Sequence, residues 1–102
     1  MEVVAGGLRG REIRFVRTAG DTYTFGRQPG QGASHIQIQS ATVSRKHAAM
    51  RYVNGRWRIR NLSSTNPIRI NGELADTPHK EYTLHDGDRI EMGEVAFLFR
   101  EQ

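Results

Sequence analysis

The chain contains no cysteine among its 102 residues. That excludes disulfide frameworks, thiolate zinc sites and cysteine nucleophiles, and it suits a reducing compartment. Prolines number three against eleven glycines, a balance that favours tight turns over a disordered tail. No apolar run approaches the roughly 20 residues of a membrane span, and the N-terminus lacks the apolar core of a signal peptide. The expected location is therefore the cytoplasm or another intracellular face, without direct membrane contact. A chain this short builds one hydrophobic core, so residues 1–102 are read as a single domain.

Acidic residues are scarce in the first two thirds. Residues 1–70 carry twelve Lys/Arg against three carboxylates, a net +9. Residues 71–102 carry three against eight, a net −5. Positive charge concentrated around the polar loops favours an anionic partner.

Apolar residues recur with a period of two almost throughout. Ile13 and Phe15, Trp57 and Ile59, Ile68 and Ile70, and Val95, Phe97 and Phe99 each fall on one side of an extended segment. Asn54-Gly55 and Asn71-Gly72 are strong hairpin signals, because a type I′ turn needs positive φ at both central residues. Asp86-Gly87 and Ala19-Gly20-Asp21 also read as turns. Expected strands lie at 2–5, 11–17, 22–26, 35–38, 47–53, 56–61, 68–70, 73–75, 81–83, 89–92 and 95–101. No helical stretch competes with them. The fold class is all-β: an antiparallel β-sandwich of about eleven strands.

Three polar segments break the alternation: 26–34, 40–45 and 61–67. Long connections in a small sandwich gather at one end, where a rigid scaffold presents them to a ligand. Ser44 and His47 lack both a GxSxG elbow and a neighbouring carboxylate, so a nucleophilic triad is not expected. His35, His47, His79 and His85 show no metal-ligand spacing. No cofactor is implied. Arg27, Ser44, Arg45 and Thr65 instead supply guanidinium and hydroxyl donors from three loops, the chemistry an oxyanion requires.

The sequence resembles the forkhead-associated (FHA) domain family. The carrying motifs are Phe25-Gly26-Arg27, Val43-Ser44-Arg45-Lys46-His47, Asn61 to Asn66, Ile70 to Glu73 and Leu84 to Gly93, in the family's order. The resemblance spans about residues 22–100 and implies a phosphothreonine-binding β-sandwich that is not an enzyme. It implies that Arg27, Ser44 and Arg45 contact the phosphate, that Thr65 lines the pocket, and that Asn66 holds the peptide backbone. It also implies that Gly26, His47, Asn71 and Gly72 support the site. The partner is then a threonine-phosphorylated protein in a Ser/Thr kinase pathway, and nucleic acid is not expected.

Two departures from the family pattern stand out. Asn66-Pro67-Ile68 replaces the usual Asn-Gly-Thr, and Pro67 fixes φ and restricts Asn66. Thr42 occupies the place from which an arginine in some relatives selects an acidic residue. No strong acidic preference is therefore expected from that position. Pro67 and the Arg56/Arg58/Arg60 stripe motivate a rival, a phosphorylation-independent interaction module on the same fold.

Overall fold

A computed structural model of the chain describes residues 2–6, 10–15, 22–29 and 35–101. Ten strands occur among them: β1 (Glu2–Ala5), β2 (Thr22–Gly26), β3 (His35–Gln37), β4 (Ala48–Val53) and β5 (Arg56–Asn61) in the first part of the chain. Then follow β6 (Arg69–Ile70), β7 (Glu73–Leu74), β8 (Tyr82–Thr83), β9 (Arg89–Met92) and β10 (Val95–Leu98). Helices are absent from the described residues, so none is long and apolar enough to cross a membrane.

The strands form two five-stranded sheets, ordered β1-β10-β9-β6-β7 and β3-β2-β4-β5-β8. Alternation explains which face of each is buried. In β4 and β5, Met50 lies opposite Ile59 and Tyr52 opposite Trp57. Met50, Ile59 and Trp57 point into the core, at no more than 4% exposure, while Arg51 and Arg56 face outward. Phe25 of one sheet meets Phe97 of the other with ring centroids 6.1 Å apart, which ties the layers together.

The turn chemistry is visible in the backbone. Asn54 and Gly55 have φ of 52° and 75°, and Asn71 and Gly72 have 54° and 85°, so both pairs adopt the left-handed region a two-residue hairpin requires.

The expected pattern needs three corrections. The segment expected as a strand over 11–17 contributes only an isolated bridge at Glu12 among the described residues; residues 16 and 17 lie outside them. The sandwich is mixed, because β2 and β3 run parallel, with Phe25 beside Ile36. Side-chain alternation reports which face is buried but not the direction of the neighbouring strand. The last strand ends at Leu98 rather than at residue 101, although the Phe99 N–H still donates to the Asp88 carbonyl at 2.8 Å. The expected turn at 19–21 and residues 30–34 of the first polar loop lie outside the described residues.

Candidate anion-binding cleft

Strand β2 delivers Arg27 to one end of the sandwich. The Arg27 N–H donates to the Ser44 carbonyl at 2.9 Å, and the Gln28 N–H donates to the Arg45 carbonyl at 3.3 Å, so the segment after β2 is laced to the 40–47 loop. That approach leaves no room for a side chain at position 26: a Cβ there would overlap the Arg45 carbonyl oxygen. The Arg27 Nε donates to the Val43 carbonyl at 3.1 Å, which orients the guanidinium, and its two amino groups make no hydrogen bond among the described residues.

The 40–47 loop is anchored from below by Val43, which is buried. At its side, the Glu94 N–H donates to Thr42 Oγ1 at 2.8 Å. His47 braces it from within. The Ser44 N–H donates to His47 Nδ1 at 3.0 Å, so Nδ1 is an acceptor and the proton of the neutral ring resides on Nε2. Burial holds the His47 pKa below its ordinary value, against a smaller opposing influence of the Asn66 main chain. The Nε2 atom is itself buried and makes no hydrogen bond of good geometry among the described residues. Neither ring nitrogen serves Ser44 Oγ, and the pair is not arranged as nucleophile and base.

The 61–66 loop is folded by side chains acting on the backbone. The Asn61 amide donates to the Ser63 carbonyl at 2.7 Å, and its oxygen accepts from the N–H groups of Ser63 and Ile68 at 3.2 and 3.1 Å. Ser63 is buried, and its Oγ accepts from the Asn66 N–H at 3.0 Å. That hydroxyl also lies 2.6 Å from Ser44 Oγ, which joins the two loops. Thr65 Oγ1 approaches Ser44 Oγ at 3.5 Å. The Asn66 amide donates to the Thr42 carbonyl at 2.9 Å, closing the far side.

These loops enclose an open cleft of about 380 Å³. Arg27, Ser44, Arg45, Thr65 and Asn66 all line it. Ser64, part of the Ser63–Asn66 run the sequence offers for this site, lines it as well, and so does Lys46, to which the sequence reading assigned no contact. Its cations are Arg27, Arg45 and Lys46, its hydroxyls come from the 40–47 and 61–66 loops, and none of its lining residues is a carboxylate. Ala41, Val43 and Leu62 add an apolar wall. The arrangement suits an oxyanion carried on an apolar stem.

Gly26 and His47 sit directly behind this cleft. Asn71 and Gly72 lie in the β6–β7 turn and do not line it. There the Asn71 amide donates to Asp88 Oδ1 at 3.0 Å and its oxygen accepts from the Arg89 N–H at 2.9 Å. Sequence reasoning gave no role to Asn61, and it took Ser63 only as one member of the candidate run 63–66, not as a buried strut. An asparagine opening a polar run is the signal of a side-chain-built loop; nothing local separates Ser63 from Ser64. No group of three or more His, Asp or Glu side chains fit to hold a metal occurs among the described residues.

Comparison with known proteins shows the family of the chain. The family model of the FHA domain matches residues 23–93. The chain is 33% identical over 78 residues to an oxoglutarate dehydrogenase inhibitor of Corynebacterium efficiens, covering 76% of this chain and 50% of that protein. It is 31% identical to the glycogen accumulation regulator GarA of Mycolicibacterium smegmatis, covering 76% and 45% of the two chains. The chain thus spans about half the length of the curated relatives it matches. Among solved structures, an FHA domain studied for phosphothreonine-dependent interactions superposes with a TM-score of 0.73 at 26% identity, over 99% of this chain and 93% of that one. The family match runs from β2 through both cleft loops to the turn after β9, and by it the chain belongs to the FHA domain family.

Proposed function

We propose that this domain binds phosphothreonine in a partner protein, with Arg27, Ser44 and Arg45 on the phosphate, Thr65 lining the pocket and Asn66 on the peptide main chain. The observation that carries this reading is the convergence of three cations and several hydroxyls from separate loops on one cleft free of carboxylates. A dianion entering it gains charge-assisted hydrogen bonds of about 1.5–3 kcal/mol each. Three or four of them, less the cost of association, give affinity in the micromolar range. The side-chain bonds that fix the loops mean that little ordering remains to be done on binding. Gly26 and His47 support the site from behind, and Asn71 and Gly72 support it through the β6–β7 hairpin. The domain, read as one unit over 1–102, acts by binding and not by catalysis. A relative named as an inhibitor and another named as a regulator support that role. The partner is the product of a Ser/Thr kinase.

Titration with three peptides of one sequence, carrying phosphothreonine, phosphoserine or plain threonine, tests the proposal. Phosphothreonine should bind best. Phosphoserine should bind roughly fivefold more weakly for want of the methyl group, and the unmodified peptide at least a hundredfold more weakly. Equal affinity for all three overturns the reading. One observation favours the phosphorylation-independent alternative: the Asn66 amide is already engaged with the Thr42 carbonyl. A partner retained equally before and after phosphatase treatment decides for that alternative.

A further inference from the structure

Strand β5 carries arginine at every other position. Arg56, Arg58 and Arg60 alternate with the buried Trp57 and Ile59, so all three belong to the sheet face turned away from the core. Across the ladder, Arg58 stands opposite Arg51, Arg60 opposite Ala49 and Arg56 opposite Val53. Among the described residues a single carboxylate answers this row. Glu81 accepts two bonds of 2.6 Å from Arg51, and that pairing is the largest cause of its lowered pKa. Arg56, Arg58 and Arg60 form no ion pair among the described residues. Arg58 is half-buried, and its Nε is buried without a hydrogen-bond partner among the described residues. A guanidinium partly removed from water and answered only by the field of Glu81, with no direct ion pair among the described residues, is a costly arrangement, which an incoming anion on its remaining donors offsets.

The row leads into the cleft. The Leu62 N–H donates to the His47 carbonyl at 2.9 Å, which prolongs the ladder one step beyond Asn61. Leu62 is itself exposed and lines the cleft, and Arg60 lies two residues before it. The cationic row and the cleft are therefore consecutive stretches of one surface.

We propose that the outer face of β5 is a second binding surface, taking an acidic, extended segment of the same protein that presents its phosphothreonine to the cleft. The inference rests on the phosphothreonine reading. Alternate residues on a strand lie about 6.6–6.8 Å apart, so the three arginines span roughly 13 Å, the reach of about four extended residues. Aspartate or glutamate at alternate positions of such a segment matches their spacing. A peptide suits the face better than nucleic acid does. Trp57 is buried and Tyr52 and Tyr82 pack against the core, which leaves no exposed ring for base stacking on this face among the described residues, and Glu81 interrupts the positive field. Exposed ion pairs are individually weak, so the segment depends on its tether to the phosphopeptide, which raises its local concentration to about millimolar.

The experiment compares phosphothreonine peptides joined at either end, through a Gly/Ser linker of about ten residues, to Glu-Gly-Glu-Gly-Glu or to Gln-Gly-Gln-Gly-Gln. Binding is read by fluorescence anisotropy on the whole chain at low salt. At one end, the glutamate extension should tighten binding roughly three- to thirtyfold over the glutamine one. The gain should vanish in R56Q/R60Q, which leaves the half-buried Arg58 in place, while the affinity of the unextended phosphopeptide is unchanged. Equal binding of the two extensions at both ends overturns the proposal, whatever becomes of the variants. So does a gain that survives both R56Q/R60Q and R56Q/R58Q/R60Q, which assigns it to cations off this face. A short single-stranded DNA that binds more tightly than the extended peptide, and is lost in R56Q/R60Q, reassigns the face to nucleic acid and also overturns it. Failure of the unextended phosphopeptide to bind sinks the phosphothreonine reading itself, and the present inference with it; loss of the extension effect alone sinks only the latter.

Discussion

The β4–β5 hairpin is closed by different chemistry at its two ends. At the turn end, Asn54 and Gly55 reverse the chain in two residues, and backbone conformation alone does the work. A Cβ built on Gly55 meets nothing within 4 Å. At the other end, the strands run into His47 and Asn61 and from there into the cleft loops. Here the backbone cannot satisfy itself. His47 accepts from Ser44, Asn61 holds Ser63 and Ile68, and Ser63 holds Asn66. The first kind of end tolerates change because its side chains carry nothing. The second makes each side chain a structural part, and in return presents donors to solvent at fixed positions.

The sharpest way to break this contrast is a pair of glycine substitutions. Gly26→Ala places a methyl group on the Arg45 carbonyl, in backbone that cannot give way without parting the two loops. We expect a loss of about 3 kcal/mol or more, or failure to fold. Gly55→Ala puts the same methyl group into open space at a φ of 75° and should cost only about 1 kcal/mol. Chemical denaturation of both variants gives the comparison. Equal losses would show that the loops at position 26 yield freely.

Asparagines offer the next contrast. Asn61→Ala removes three hydrogen bonds to the main chain and leaves the Ser63 and Ile68 N–H groups in need of partners, for an expected cost of about 2–3 kcal/mol. Asn54→Ala loses only the left-handed preference and should cost less than about 1 kcal/mol. If the two fall together in a thermal melt, side-chain wiring is not what holds the cleft.

Function separates from stability at Arg27. Its guanidinium is exposed and makes one bond among the described residues, to the Val43 carbonyl. Arg27→Ala should weaken a phosphothreonine peptide at least tenfold and shift the unfolding free energy by less than about 1 kcal/mol. A variant that unfolds instead identifies Arg27 as a strut of the loop.

The same contrast explains what could be seen in the sequence. Asn54-Gly55 and Asn71-Gly72 are legible because a two-residue turn is a local matter, decided by which residues accept positive φ. Trp57, Ile59 and Phe97 are legible as core because alternation survives along a strand. The parallel pairing of β2 with β3 is not, since it depends on where the chain returns and not on what it is made of. Ser63 is buried and central to the loop, yet in the run Ser63-Ser64-Thr65 its neighbour has the same hydroxyl and faces the cleft. Only tertiary packing tells the two apart. Lys46 is a comparable case: as a charge in a basic stretch it looks like any solvated lysine until the loop turns it toward the cleft.

The smallest expected effect tests the same wiring through a proton. His47 holds the 40–47 loop only while Nδ1 can accept from the Ser44 N–H, and a protonated ring would oppose one donor to another. Burial lowers its pKa from the ordinary 6.5, so the unfolded chain takes up the proton more readily than the folded one. The stability this confers is therefore fully present above about pH 6.5 and declines as the pH falls from there toward the folded value. One such group changes the unfolding free energy by at most about 1.4 kcal/mol per pH unit. Measured without ligand, so that the phosphate's own protonation near pH 6 does not intrude, the wild-type curve should fall more steeply between pH 6.5 and 5 than that of His47→Asn. Asn54 and Gly55 do not titrate, so the steeper fall belongs to the cleft end. Parallel curves would mean that the ring accepts its second proton without disturbing Ser44, and that the loop is held by Asn61 and Ser63 alone.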